Sequence, residues 1–186
     1  MRARGRCAAA LAALLAAALV ACGGGSAEDR TAERVKAADA RLADHPRDAN
    51  ALAEVIRAAH AAAIERSDPA AGIFEPEARR FLERAAAVWP RYVAATRDRP
   101  APTVSAIMVD VLGRGLGRAP GAARAAEALA AARPTASTYL TLAQWSARAG
   151  HRRATRLAGQ KALELAEPGD RERVRAAIRL FEAGGA

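Results

Sequence analysis

The chain has 186 residues, with 29 basic side chains against 20 acidic ones, a formal charge of +9, and two cysteines. That length suits one domain with a real core, and two cysteines exclude a scaffold built on disulfides. Only 4% of the residues are aromatic, strand formers are sparse, and alanine and leucine, both strong helix formers, dominate, so the composition predicts an all-α protein.

The basic start Met1-Arg2-Ala3-Arg4-Gly5-Arg6 leads into an apolar run from Ala8 to Val20, and Leu19-Val20-Ala21-Cys22 closes it. The run is thirteen residues long, and a transmembrane helix needs about 20. A positive segment, an apolar segment and a small residue ahead of a cysteine resemble the lipobox of bacterial lipoproteins. The resemblance implies that residues 1–21 are a signal peptide. It also implies that the Cys22 thiol is acylated, that cleavage falls before it, and that the lipid anchors the mature chain. Residues 22–27, with Gly23-Gly24-Gly25-Ser26, read as the lipidated end of a flexible tether. Cleavage leaves the chain from Cys22 to Ala186, removes Arg2, Arg4 and Arg6, and makes Cys22 the one remaining cysteine. Its lipid leaves no thiol for a disulfide, so packing alone holds the fold. Gly23 after the cysteine implies the outer membrane in a two-membrane cell. In a one-membrane cell the anchor lies on the outer face of the cytoplasmic membrane.

A lone helix is expected from Glu28 to Ala43, with Val35, Ala38 and Leu42 on one face. The next runs from about Asp48 to Ile64, with Leu52, Val55, Ile56 and Ala59 inward. An insertion at about 65–76 contains Pro69 and Gly72 and reads as a loop. Pro76 suits the first turn of the helix that follows, and Glu77 sits near its positive end. That helix carries Phe81, Leu82, Ala85, Val88, Trp89, Tyr92 and Val93. Pro90, inside it, either kinks or splits it.

Pro100, Pro134 and Pro168 are evenly spaced, with the same interval twice in succession. Ala128-Leu129 recurs one interval on as Ala162-Leu163, and Met108 as Leu142. Val104, Ile107, Met108 and Val111 form one buried stripe, and Tyr139, Leu142, Ala143 and Ser146 form its counterpart. Ala154, Leu157, Ala158, Ala162 and Leu165 make the stripe of the next helix. Ala136–Ala143, the turn at Gly150, and Lys161-Ala162-Leu163-Glu164-Leu165 before Pro168 resemble a tetratricopeptide repeat, and the proline interval equals that family's period of about 34 residues. Gly159 stands where the family places an aromatic, and Pro134 and Pro168 each fall one place late. The longer interval from Pro46 to Pro100 is one such period plus an insertion. Val174, Ala177, Ile178 and Phe181 mark a capping helix at about 170–183, polar and Arg-rich outside. The resemblance implies an all-α, right-handed α-solenoid of stacked helix hairpins, about eight helices in one domain over 28–186.

The chain has no Gly-x-Ser-x-Gly, His-Glu-x-x-His or Cys-x-x-Cys, so neither a catalytic elbow nor a metal site is expected, and the covalent lipid is the one group implied. Gly113-Arg114-Gly115-Leu116-Gly117-Arg118 lacks the Gly-Lys-Ser/Thr ending of a phosphate loop and reads as a turn between two helices. His45 and His151 read as helix-end polar residues. Glu75 and Glu77 flank Pro76 and read as helix-start electrostatics. Trp145 lies one step off its stripe, packed on the C-terminal helix or open to a groove. Arginine is spread over every segment with lysine nearly absent, and export removes the chain from cytoplasmic nucleic acid, so no nucleic-acid partner is expected. A mildly basic surface suits anionic headgroups near the anchor.

The tetratricopeptide resemblance implies a membrane-anchored, exported adaptor that binds proteins along a concave face lined by the first helices of the hairpins. The groove residues would be His60, Asp110, Arg114, Gln144 and Arg148. Arg114 and Arg148 occupy equivalent places and suit an acidic or C-terminal peptide of an unidentified envelope partner. The rival readings are a helical envelope enzyme, such as a glycan hydrolase using Glu75 or Glu77, and a purely structural spacer.

Overall fold

The structure, a computed structural model, describes residues 26–68 and 73–184. Cys22, the signal segment and residues 69–72 of the insertion lie outside the described residues. The described chain is all-α in class, with eight α-helices and a two-residue antiparallel strand pair.

Helix α1 (Ala27–Asp44) begins at a capping box. The Asp29 amide donates to Ser26 Oγ at 3.1 Å, and the Asp29 carboxylate accepts from the Ser26 amide at 3.1 Å. Ser26 and Ala27, expected in the tether, are therefore the cap and first residue of the helix. Helix α2 (Ala49–Glu65) is capped by Asp48, which accepts from the Asn50 amide at 2.7 Å. It buries Leu52, Val55, Ile56 and Ala59, the expected face.

The insertion forms a short ladder, β1 (Ser67–Asp68) against β2 (Ile73–Phe74), with Ser67 opposite Phe74. Helix α3 (Pro76–Ala95) starts on Pro76 and runs through Pro90 as one helix. Pro90 has no N–H for the Ala86 carbonyl, so one helical bond is missing there and the flanking turns carry the continuity. Arg97 and Asp98 take positive φ values of 52° and 59° to end the segment.

Helix α4 (Pro102–Asp110) continues into a π-helical turn, Val111–Gly115. The glycine-rich stretch expected to be a turn is thus helical over its first half, Gly113–Gly115. The turn itself is Leu116–Arg118, where Gly117 adopts a φ of 67°. Helices α5 (Ala119–Ala132), α6 (Ala136–Arg148), α7 (Arg152–Leu165) and α8 (Arg171–Gly184) complete the chain. Thr135 and Thr138 form a capping box for α6, and Gly150, with a φ of 75°, turns the chain into α7.

Most helices pack chiefly on their chain neighbours, α2 on α1 and α3, α5 on α4 and α6, and α6 on α5 and α7, while α8 packs on α6 as well as on α7. Beyond this, α2 touches α4. The main core draws on α1 to α5 together with Trp145 of α6. A smaller one gathers Ala162, Ala166 and Val174, with Tyr139, Leu163 and Ile178 around it.

Two expectations change in this C-terminal part. Helix α7 buries Thr155, Ala158, Gly159 and Ala162, while Leu157 and Leu165 are 54% and 38% exposed. Small residues form the contact because α8 comes close. A Cβ on Gly159 would lie 3.2 Å from Ile178, so the absent side chain makes room for that isoleucine.

Candidate functional site

His60 lies in the last half of α2, and Asp110 ends α4 on the neighbouring helix. His60 Nε2 lies 2.9 Å from Asp110 Oδ2, and the two side chains are only 22% and 17% exposed. A carboxylate has no proton to give, so His60 carries one on Nε2 and donates it. Arg114, one turn on, donates from Nε to the other oxygen, Asp110 Oδ1. The π-helical turn that holds Arg114 thus returns its guanidinium to the end of its own helix. The hydrogen bond from His60 is the main influence holding the Asp110 carboxyl below its ordinary range. Partial burial opposes it, and the charge and hydrogen bond of Arg114 add to the lowering.

Trp145 is the next member. It is buried in the main core, where its ring lies against the π-helical turn. A Cβ on Gly113 would fall 2.2 Å from Trp145 Cζ2, so the ring occupies the space that any other residue at 113 would fill. The guanidinium of Arg148 lies over the Trp145 ring, 4.7 Å from its centroid.

Of the five residues expected to line a groove, the structure joins His60, Asp110 and Arg114 directly. It connects Arg148 to them through Trp145 and Gly113. Gln144 is half-buried on α6, and among the described residues no hydrogen bond ties it to the cluster. Asp110 already serves two donors and is no free base. Arg114 uses only Nε on Asp110, its side chain is 75% exposed, and its terminal nitrogens remain available. Arg148 is engaged through its face and pairs with no described carboxylate. The cluster can therefore bind anionic oxygens at two guanidiniums, with Trp145 fixing one of them.

Sequence reasoning missed the seat of Trp145 on Gly113. The signal was a glycine inside an otherwise helical pattern, which commonly marks close packing.

Glu75 is exposed at the N-cap of α3 without a side-chain capping bond, and Glu77 is exposed in the first turn. His45 ends α1 and His151 precedes α7, both exposed. No three of the described His, Cys, Asp and Glu residues group as metal ligands. Among the described residues no helix is long and apolar enough to cross a membrane. A separate concavity of about 1010 Å³ separates α3 from α5, lined by Trp89, Pro90, Val93, Leu112, Pro120 and Ala128. Its rim balances Arg118 and Arg124 against Asp98 and Glu127.

Comparison with protein-family models, curated proteins and solved structures finds no match to this chain.

Proposed function

We propose that the chain is an exported lipoprotein, anchored through Cys22, whose stacked hairpins form a right-handed solenoid of the tetratricopeptide kind. In this reading α2, α4 and α6 are the first helices of successive hairpins. A partner protein presents an acidic or C-terminal segment to the face they share. The observation that carries the reading is the continuous cluster His60–Asp110–Arg114, extended by Gly113, Trp145 and Arg148. It draws on all three helices, as residues lining one groove would. Arg114 and Arg148 are separated by the same interval as the prolines, one period of the repeat. Two fixed guanidiniums suit carboxylate oxygens, which they bind through directed N–H donors.

The test compares the intact chain with an Arg114→Glu/Arg148→Glu variant in capture from crosslinked cell envelope. The variant also loses the Arg114–Asp110 pairing and the Arg148 contact with Trp145, so capture is compared well below the melting transition of the variant, where its helicity matches that of the parent. A protein captured by the parent and lost from the variant, whose isolated acidic segment then binds the purified parent, supports the groove. Identical captured sets refute it.

A further inference from the structure

The arginines are spread along the chain, but the acids are not. From Ser26 onward there are 26 basic and 20 acidic residues. Between Ala128 and Leu163 there is no acid at all, against Arg133, Arg148, Arg152, Arg153, Arg156 and Lys161. The rest of that chain is balanced, twenty against twenty, so the whole excess of six charges falls on the α6–α7 hairpin and the connection leading into it.

The structure leaves most of this charge unanswered. Arg148, Arg152, Arg153 and Arg156 are exposed around the α6–α7 turn, and none pairs with a described carboxylate. Lys161 alone does, with Glu164 at 2.9 Å. Arg152 and Arg153 stand in the first turn of α7, where the helix end is itself positive. His151 gives that end no side-chain cap. Such crowding disfavours the isolated hairpin and is relieved by anions. Leu157 and Leu165, both exposed, lie two turns apart with Lys161 between them, on one face of the same helix.

We infer that the α6–α7 hairpin docks on an anionic lipid bilayer, with the guanidiniums of Arg152, Arg153 and Arg156 at the headgroup phosphates and Leu157 and Leu165 in the interfacial layer. A bilayer offers both parts of the match, phosphate oxygens and an apolar layer just beneath them. A polyanion free in solution answers the arginines and leaves the leucines in water. The contact needs neither the lipid on Cys22 nor the groove partner, so its failure and theirs are separable.

The test uses the chain from Ser26 to its end, which contains every helix and both cores. Co-sedimentation is measured with phosphatidylcholine vesicles and with equal-part phosphatidylcholine/phosphatidylglycerol vesicles. Binding is expected only to the anionic vesicles and should weaken with added salt. Each basic residue near such a surface is worth about fivefold in affinity. The Arg152→Gln/Arg153→Gln/Arg156→Gln variant should therefore bind about a hundredfold more weakly. Leu157→Gln/Leu165→Gln should also lose affinity, with the circular dichroism of both variants unchanged. Equal binding to the two vesicle types, no binding to either, or an arginine variant as tight as the parent overturns the inference. So does tight binding to poly-L-glutamate with a leucine variant that holds vesicles as well as the parent; that result assigns the hairpin to an acidic polypeptide.

Discussion

Gly113→Ala tests the seat of Trp145 with a single methyl group. The new Cβ would lie 2.2, 2.4 and 2.7 Å from Cζ2, Cη2 and Cε2 of the indole. The ring is rigid and buried, with Arg148 over it, so it cannot swing aside as a flexible side-chain end does. Overpacking of this kind costs about 1–3 kcal/mol. Replacing glycine by alanine within a helix returns about 1 kcal/mol. Gly113 has no positive φ, so the backbone adds no strain and the outcome is decided by sterics. With a rigid obstacle the upper half of the packing range applies, and the net loss is about 1–2 kcal/mol. Gly121→Ala is the control. Its Cβ would meet Leu112 Cδ1 at 3.4 Å, an ordinary contact, and the change should be neutral or stabilise by about 0.4–1 kcal/mol. Urea unfolding followed by circular dichroism measures both. Trp145→Leu in the Gly113→Ala background should cost less than Trp145→Leu alone, because the clash has gone. Equal midpoint shifts for Gly113→Ala and Gly121→Ala would refute the packing argument.

Three further predictions concern separate parts of the chain. Asp110 titrates below its ordinary range in the folded protein, so the stability it contributes is present above its unfolded pKa of about 3.9 and is lost as pH falls through its lower folded value. The urea midpoint of the parent should therefore drop more steeply between pH 5 and pH 3 than that of Asp110→Asn, and parallel slopes would remove Asp110 from the account. Gly159→Phe should displace Ile178 and lower helicity near α8, read as new proteolytic cleavage after α7. Cells expressing the chain should incorporate an alkyne-tagged fatty acid into it, and Cys22→Ser should abolish that label; a label that persists rejects the anchor.

The helices of the N-terminal half were legible because strong local signals agree there. Asp48 and Pro76 mark starts, and Leu52, Val55, Ile56 and Phe81, Leu82, Val88 mark faces by size as well as by spacing. In α7 those signals part company. Its contact face is built from Thr155, Ala158, Gly159 and Ala162, which hydropathy hardly separates from the background, whereas Leu157 and Leu165 pull the reading round the helix. Reading the stripe from the largest apolar residues assumes that burial follows size, and a close helix approach through glycine reverses that. The π-helical turn was hidden for another reason. One residue added to the turn at Val111–Gly115 leaves no periodic trace in so short a segment, yet it belongs to the turn that sets Gly113 against Trp145. For the candidate site, the repeat resemblance implied His60, Asp110, Arg114, Gln144 and Arg148 as groove residues. That Asp110 is already shared between His60 and Arg114 depends on how two helices meet, which spacing alone does not encode.

The cluster also joins parts of unequal stability. The main core is rich in large side chains from α2, α3 and α4, whereas the second rests on Ala162, Ala166 and Val174, and Val174 is the one buried residue of α8 among those described. Little apolar area holds α7 and α8, so they should open locally before the rest. Amide hydrogen exchange should be slowest in α2 and α3 and fastest in α8. Trp145 is the buried α6 side chain that reaches the main core. Its replacement by alanine removes a large buried ring, a change that costs about 3–5 kcal/mol. If Trp145 couples the two regions, the variant should lose protection throughout α6, α7 and α8 while α2 keeps most of its own. A uniform loss along the chain would mean that the helices unfold as one unit. Arg148 would then owe its place over the ring to global stability, and not to a local hinge between the two cores.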